Sequence, residues 1–188
     1  MINRTIFEEF QLFFSVRKSV FIKHIEHLEE EELKDELRVL YEKIPEVKSF
    51  YALELGNEKE RNKIYDKAKE SILKKYKTKS FRKPRRPRIQ KINALLTELE
   101  KNATYNWDMI DVYLFNAEQG IKFMTTYSFY SDPLRNTILK SLDKALLLIE
   151  DALFQEQYKD RVEALIATKI FDWGVQSKVT ALVHKVYP

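Results

Sequence analysis

Apolar residues recur along this chain at spacings of three and four, the spacing that lines one side of an α-helix. The pattern is clearest from Tyr105 onward. There Trp107, Ile110, Leu114, Ala117, Ile121 and Met124 mark one side of a helix of about 20 residues. Asp108, Asp111, Glu118 and Lys122 form a polar row flanking that stripe. An Asp132-Pro133 pair then reads as a cap followed by a first-turn proline, ahead of Leu134, Ile138, Leu142, Ala145 and Ile149 at helical spacing. Phe154, Tyr158, Val162 and Leu165 continue the pattern, and Val175, Val179, Leu182 and Val186 predict a last helix.

The first half of the chain is read mainly from its helix boundaries. Thr5 and Glu8 have capping-box spacing, which predicts a short helix from Ile6 through Phe7, Phe10 and Phe13. Ser15 to Leu28 reads as a second helix, with Val16, Val20 and Ile25 apolar. The acids Glu29 to Glu32 suit the positive first turn of a third, through Leu33, Leu37, Leu40 and Tyr41. Pro45 opens PEVKSFYALEL, which Gly56 is expected to end as a left-handed cap. Asn57 caps a long polar helix toward Lys77, and Ile89, Ile92, Leu95, Leu96 and Leu99 give the next helix its stripe. Nothing reads as a strand. With three glycines in 188 residues, the many tight turns of a sheet protein have no supply of positive φ. The expected fold is all-α, a bundle or right-angled array of eight to nine helices in a single domain, 1–188.

Charge changes this picture in one place. Between Lys74 and Lys91 the chain reads KKYKTKSFRKPRRPRIQK, with ten bases in eighteen positions and no acid. The other 23 bases face 29 acids, so the remainder carries a formal charge of −6 and the net +4 is local. Pro84 and Pro87 interrupt the segment, so residues 80–87 read as a linker between lobes 1–79 and 88–188. A dense cationic strip on an anionic body points to polyanions. The candidate binding residues are Lys74, Lys75, Lys77, Lys79, Arg82, Lys83, Arg85, Arg86, Arg88 and Lys91, with Tyr76 and Phe81 as stacking rings. The bland alternative is a solvated linker docking on its own acidic body.

Other chemistry is thin. The absence of cysteine excludes disulfides, thiolate nucleophiles and zinc ribbons. His24 and His27 share a helix face but lack the further ligands a metal needs, and His184 reads as structural. Asp108, Asp111 and Glu118 could in principle do paired-carboxylate work, but a solvated face with a Glu118–Lys122 ion pair accounts for them more simply. Gly120, inside a helix, is read as a close approach of a neighbouring helix. No phosphate loop, dinucleotide fingerprint or zincin motif is present. No run is long enough to span a membrane, and MINRTIFEEFQLFF lacks the features of a secretion signal, so a cytoplasmic location is expected.

Four strings carry a family likeness: LYEKIPEVKSFY (Leu40 to Tyr51), the basic linker, YLFNAEQGIKF (Tyr113 to Phe123) and FDWGVQSKV (Phe171 to Val179). In that order they resemble an uncharacterised bacterial all-helical family of unknown function, over roughly Val16 to Tyr187. The resemblance implies a helical fold and bacterial origin, and no activity, cofactor or catalytic residue. The C-terminal half is also similar to tetratricopeptide-like helix pairs, without their full repeat. The functional expectation is a non-enzymatic protein binding a macromolecule, an acidic protein or a nucleic acid, through 74–91. Nucleic-acid binding with that segment as footprint is the alternative, and a cofactor-free enzyme with carboxylates Asp111 and Glu118 a further one. No catalytic, cofactor or metal residue is assigned, and no oligomeric state follows.

Overall fold

The computed structural model describes residues 16–168 and 174–187. Among them are nine α-helices and no strand. In order these are α1 (Lys18–Glu26), α2 (Glu30–Lys43), α3 (Pro45–Glu54), α4 (Glu58–Tyr76) and α5 (Ile89–Asn102). A 3-10 turn (Asn106–Met109) then leads into α6 (Ile110–Tyr127), α7 (Asp132–Asp151), α8 (Gln155–Ala167) and α9 (Val175–Val186). The helix expected from Ile6 through Phe13 lies outside the described residues.

Side-chain caps explain several of these boundaries. Asn57 Oδ1 accepts from the Glu60 amide at 3.0 Å while the Glu60 carboxylate accepts from the Asn57 amide at 3.1 Å, a reciprocal box that starts α4. Glu29 and Glu32 form the same box ahead of α2. Four expected details are corrected. Gly56 does not adopt positive φ; a Cβ there would strike the carbonyl oxygen of Ala52, so the position needs glycine for clearance. Ser131, not Asp132, is the N-cap of α7, its Oγ accepting from the Leu134 amide at 3.4 Å. The stripe from Tyr105 begins in a 3-10 turn, whose three residues per turn shift the phase. Met109 is buried there, while Trp107 stays 46% exposed, stacked on Tyr105 with centroids 4.8 Å apart. Finally, Leu153 at φ 57° separates α7 from α8.

The chain divides between Lys48 and Ser49 into two compact units. In the first, α1 and α2 bury no residue; their turns are held by local contacts such as Lys34 with Glu30 and Glu31. In the second, α6 is buried on two faces and pairs along its length with α7, the two joined by a turn at 128–131. Ile110, Leu114, Ala117, Ile121 and Met124 fill one face, and Leu134, Ile138, Leu142, Ala145 and Ile149 answer from α7. Gly120 marks the close approach between them. A Cβ there would collide with Ile138 Cγ1, lie 2.9 Å from its Cδ1 and 3.3 Å from the Tyr76 hydroxyl. Helix α4 packs on α5 and α6, α5 also packs on α7, and α9 packs on α7 and α8. The helices on either side of residues 80–87 thus belong to one unit.

Buried polar groups tie this core together. The Tyr76 hydroxyl donates to Asn116 Oδ1 at 3.0 Å, and Asn116 Nδ2 donates to Ser141 Oγ at 2.9 Å, linking α4, α6 and α7. Asn116 is fully buried, so each of these bonds offsets a desolvation cost.

Candidate functional site

The basic segment leaves α4 at Tyr76 and enters α5 at Ile89, and residues 77–88 between them are non-helical. Pro84 and Pro87 forbid helix continuation, and repulsion among like charges favours an extended course. The loop is nevertheless pinned. Thr78 Oγ1 accepts from the Arg85 amide at 2.9 Å and donates to the Ser80 carbonyl at 3.2 Å. The Arg88 amide donates to the Lys75 carbonyl at 3.3 Å, closing the ends of the loop on each other. At its tip the Phe81 ring lies 5.6 Å from that of Tyr127 on α6.

This backbone presents the charges outward. Lys74, Lys77, Lys79, Arg82, Lys83, Arg85, Arg86, Arg88 and Lys91 are exposed and Lys75 is half-buried. Lys74 meets Glu70 at 3.8 Å, an i,i+4 pair on an open helix face. The other nine have no carboxylate within ion-pair distance among the described residues. Of the two expected stacking rings, Phe81 is 72% exposed, whereas Tyr76 is buried and bonded to Asn116, which removes it from any surface role. Burial pushes the Tyr76 hydroxyl above the usual phenol range.

Beside the loop is a recess of about 170 Å³ between the end of α4 and the second half of α6. Lys77 and Lys122 stand at its edge, Tyr76, Phe123 and Tyr127 line it, and Gln119 opens onto it. Gln119 and Lys122 belong with the loop in space although they lie 28 and 31 positions beyond Lys91 in the chain. Periodicity placed both on α6 but gave no sign of that proximity.

The carboxylates on α6 have a different role. Arg161, from α8, bridges Asp111 and Glu118, its Nε 2.5 Å from Glu118 Oε1 and its Nη1 paired with Asp111. Lys69 of α4 reaches Asp111 at 3.4 Å. Tyr65 donates to Asp108 at 3.4 Å, with Arg61 3.8 Å away. The row is therefore not a solvated face: Glu118 pairs with Arg161 rather than Lys122, and the carboxylates clamp α6 to α4 and α8. Burial raises the Asp108 carboxyl above its ordinary range despite Arg61 beside it. Across the unit, Lys144 of α7 donates to both Glu100 oxygens, at 2.5 and 2.6 Å, and holds that carboxyl below the usual carboxylate range.

Two other features were not anticipated from sequence. Lys140 and Lys178, from α7 and α9, converge with Lys185 around a recess of about 450 Å³ floored by Leu139 and Leu182, with Asp143 among them. These bases are isolated in sequence and meet only because α9 packs on α7. At the C-cap of α1, His27 Nδ1 lies 2.6 Å from the Lys23 carbonyl, a local contact with the last turn. Among the described residues no three His, Asp or Glu side chains are grouped to hold a metal, and no helix is long and apolar enough to cross a membrane.

No curated protein and no solved structure matches the chain. Residues 16–186 match the sequence model of DUF6155, described as a family of unknown function, over nearly the stretch where the resemblance was read, and the chain belongs to that family.

Proposed function

We propose that this is a non-enzymatic, cytoplasmic bacterial protein that binds nucleic acid, with loop 77–88 and its flanking turns as the phosphate contact. One observation carries the reading. Nine of the ten bases in 74–91 have no carboxylate partner among the described residues, on a loop whose ends are bonded to each other. Charges used for folding would be paired, as Arg161 and Lys144 are. Arg82, Arg85, Arg86 and Arg88 offer planar forked donors suited to phosphate oxygens. Because the loop is pinned, less conformational freedom is lost on contact than for an open linker.

Fluorescence anisotropy with mixed DNA and RNA oligonucleotides across a salt series tests this. If six of these side chains reach phosphates, affinity should fall roughly a thousandfold between about 50 and 200 mM salt. A variant with Arg82, Lys83, Arg85, Arg86 and Arg88 all changed to glutamine should lose most of that binding and most of the salt slope. Absence of salt-sensitive binding by the unaltered protein discards the reading. Retention of an acidic protein in place of nucleic acid would move the partner to that class.

A further inference from the structure

Phosphate contacts alone do not distinguish a duplex from a single strand. The surface next to the loop does. The recess between α4 and α6 combines three features that an unpaired base uses and a phosphate does not. Its accessible aromatic wall is the half-buried Tyr127 ring, backed at 4.8 Å by Phe123, which is itself buried. The Gln119 amide, at once a donor and an acceptor, opens onto it and has no hydrogen-bond partner among the described residues. Phe81 carries the aromatic surface outward from Tyr127 onto the loop, where it is 72% exposed. Lys77 and Lys122 stand at the rim, placed for the phosphates on either side of a seated base.

The size of the recess, about 170 Å³, suits one flat ring system and not a base pair. A duplex would have to unpair and extrude a base to use it, at a cost of a few kcal/mol. The exposed Phe81 supplies a second stacking surface for a neighbouring base. Every base has a π face, so such a platform accepts any sequence and favours strands that are already unpaired.

Resting on the phosphate reading above, we propose that the partner is a single-stranded nucleic acid, one of whose bases enters the recess against Gln119 and Tyr127 while the next stacks on Phe81. The strand's backbone then runs over Lys77, Lys122 and the loop arginines. Phe81 and Gln119 are the residues that separate a base-reading surface from a merely cationic one.

Three probes of equal length decide the matter by anisotropy at fixed salt: an intact single strand, the corresponding duplex, which carries twice the phosphate charge, and a single strand carrying abasic sites throughout. The intact strand should bind at least about tenfold more tightly than the other two. Phe81→Ala should weaken intact-strand binding about 5- to 100-fold and leave the abasic strand unchanged. Gln119→Ala should weaken it less, again only for strands with bases. Because Phe81 is exposed and Gln119 has no bond within the fold, both variants should keep the unaltered melting temperature within about 2 °C. Equal affinity for intact and abasic strands, or tightest binding to duplex, overturns the base recess while leaving the phosphate contact standing. Failure of all three probes to bind overturns both.

Discussion

Arg161 and Arg85 belong to the same compact unit and use the same guanidinium in opposite ways. Arg161 is 31% exposed and bridges two carboxylates on α6, Asp111 and Glu118, from the neighbouring α8. Arg85 is exposed, its amide is fixed by Thr78, and its guanidinium has no partner among the described residues. Around Arg161 the charges of both signs are matched, with Lys69, Asp66, Arg61 and Asp108 extending the network. Around Arg85 there is only one sign. The first pattern holds helices together, and the second costs the fold some self-repulsion with no return from within the fold. Charge that is fully answered inside the molecule explains structure; charge left unanswered calls for another molecule.

The contrast can be broken at several points. Arg161→Met should have the largest effect on folding, since it leaves two carboxylates without their shared cation. A pair this partly exposed lies between the surface and buried limits, so about 2 kcal/mol of destabilisation is expected in a urea titration. Asn116→Ala comes next. It strands the Tyr76 hydroxyl one residue before the loop begins, at a cost of about 1–2 kcal/mol. If the loop is held in shape from this anchor, the variant should also weaken oligonucleotide binding, although Asn116 touches no ligand.

Glu100→Gln should do less, under about 1 kcal/mol, and mostly in its dependence on acidity. Lys144 depresses the Glu100 carboxyl in the folded state. Its contribution is therefore present above the unfolded carboxylate range and lost as pH falls through the folded value. Stability of the variant measured between pH 7 and 3 should decline less steeply than that of the unaltered protein. Asp108, whose carboxyl is raised by burial, acts with the opposite sign and gains stability over the same descent. Smallest of all is Arg85→Met, expected to stay within about 0.5 kcal/mol of the unaltered chain. Should it match Arg161→Met, the distinction between answered and unanswered charge would fall.

Much of the fold was legible because it is written locally. The Asn57 cap, the helix start at the Glu29 to Glu32 acids, and the stripe through Ile110, Leu114 and Ala117 depend on neighbours within a turn or two. Gly120 was readable for the same reason, since an unfavourable residue in a helix needs compensation nearby. Misreadings arose where geometry departs from the ideal helix. The 3-10 turn rotated Trp107 off the buried side, and Gly56 serves clearance instead of a left-handed turn. The partner of Glu118 was beyond local reading. Lys122 sits one turn away in sequence, but Arg161, 43 residues along, wins because α8 brings a forked donor to two carboxylates at once. The cationic strip was visible as composition. Its neighbours Gln119 and Lys122 were not, because only the packing of α4 on α6 sets them beside it.

The first unit offers a consequence of its own. Helices α1 and α2, nine and fourteen residues long, bury nothing; α2 has its Glu29/Glu32 box and short-range ion pairs such as Arg38 with Asp35, while α1 has no side-chain cap bond at its start. Peptides of such lengths are marginal helices in water. Their content should follow temperature, acid and salt gradually, as an isolated peptide does, while the second unit melts as a block. On warming, the far-ultraviolet helical signal therefore has a sloping foot that near-ultraviolet signals from the packed Phe123 and Tyr113 do not share.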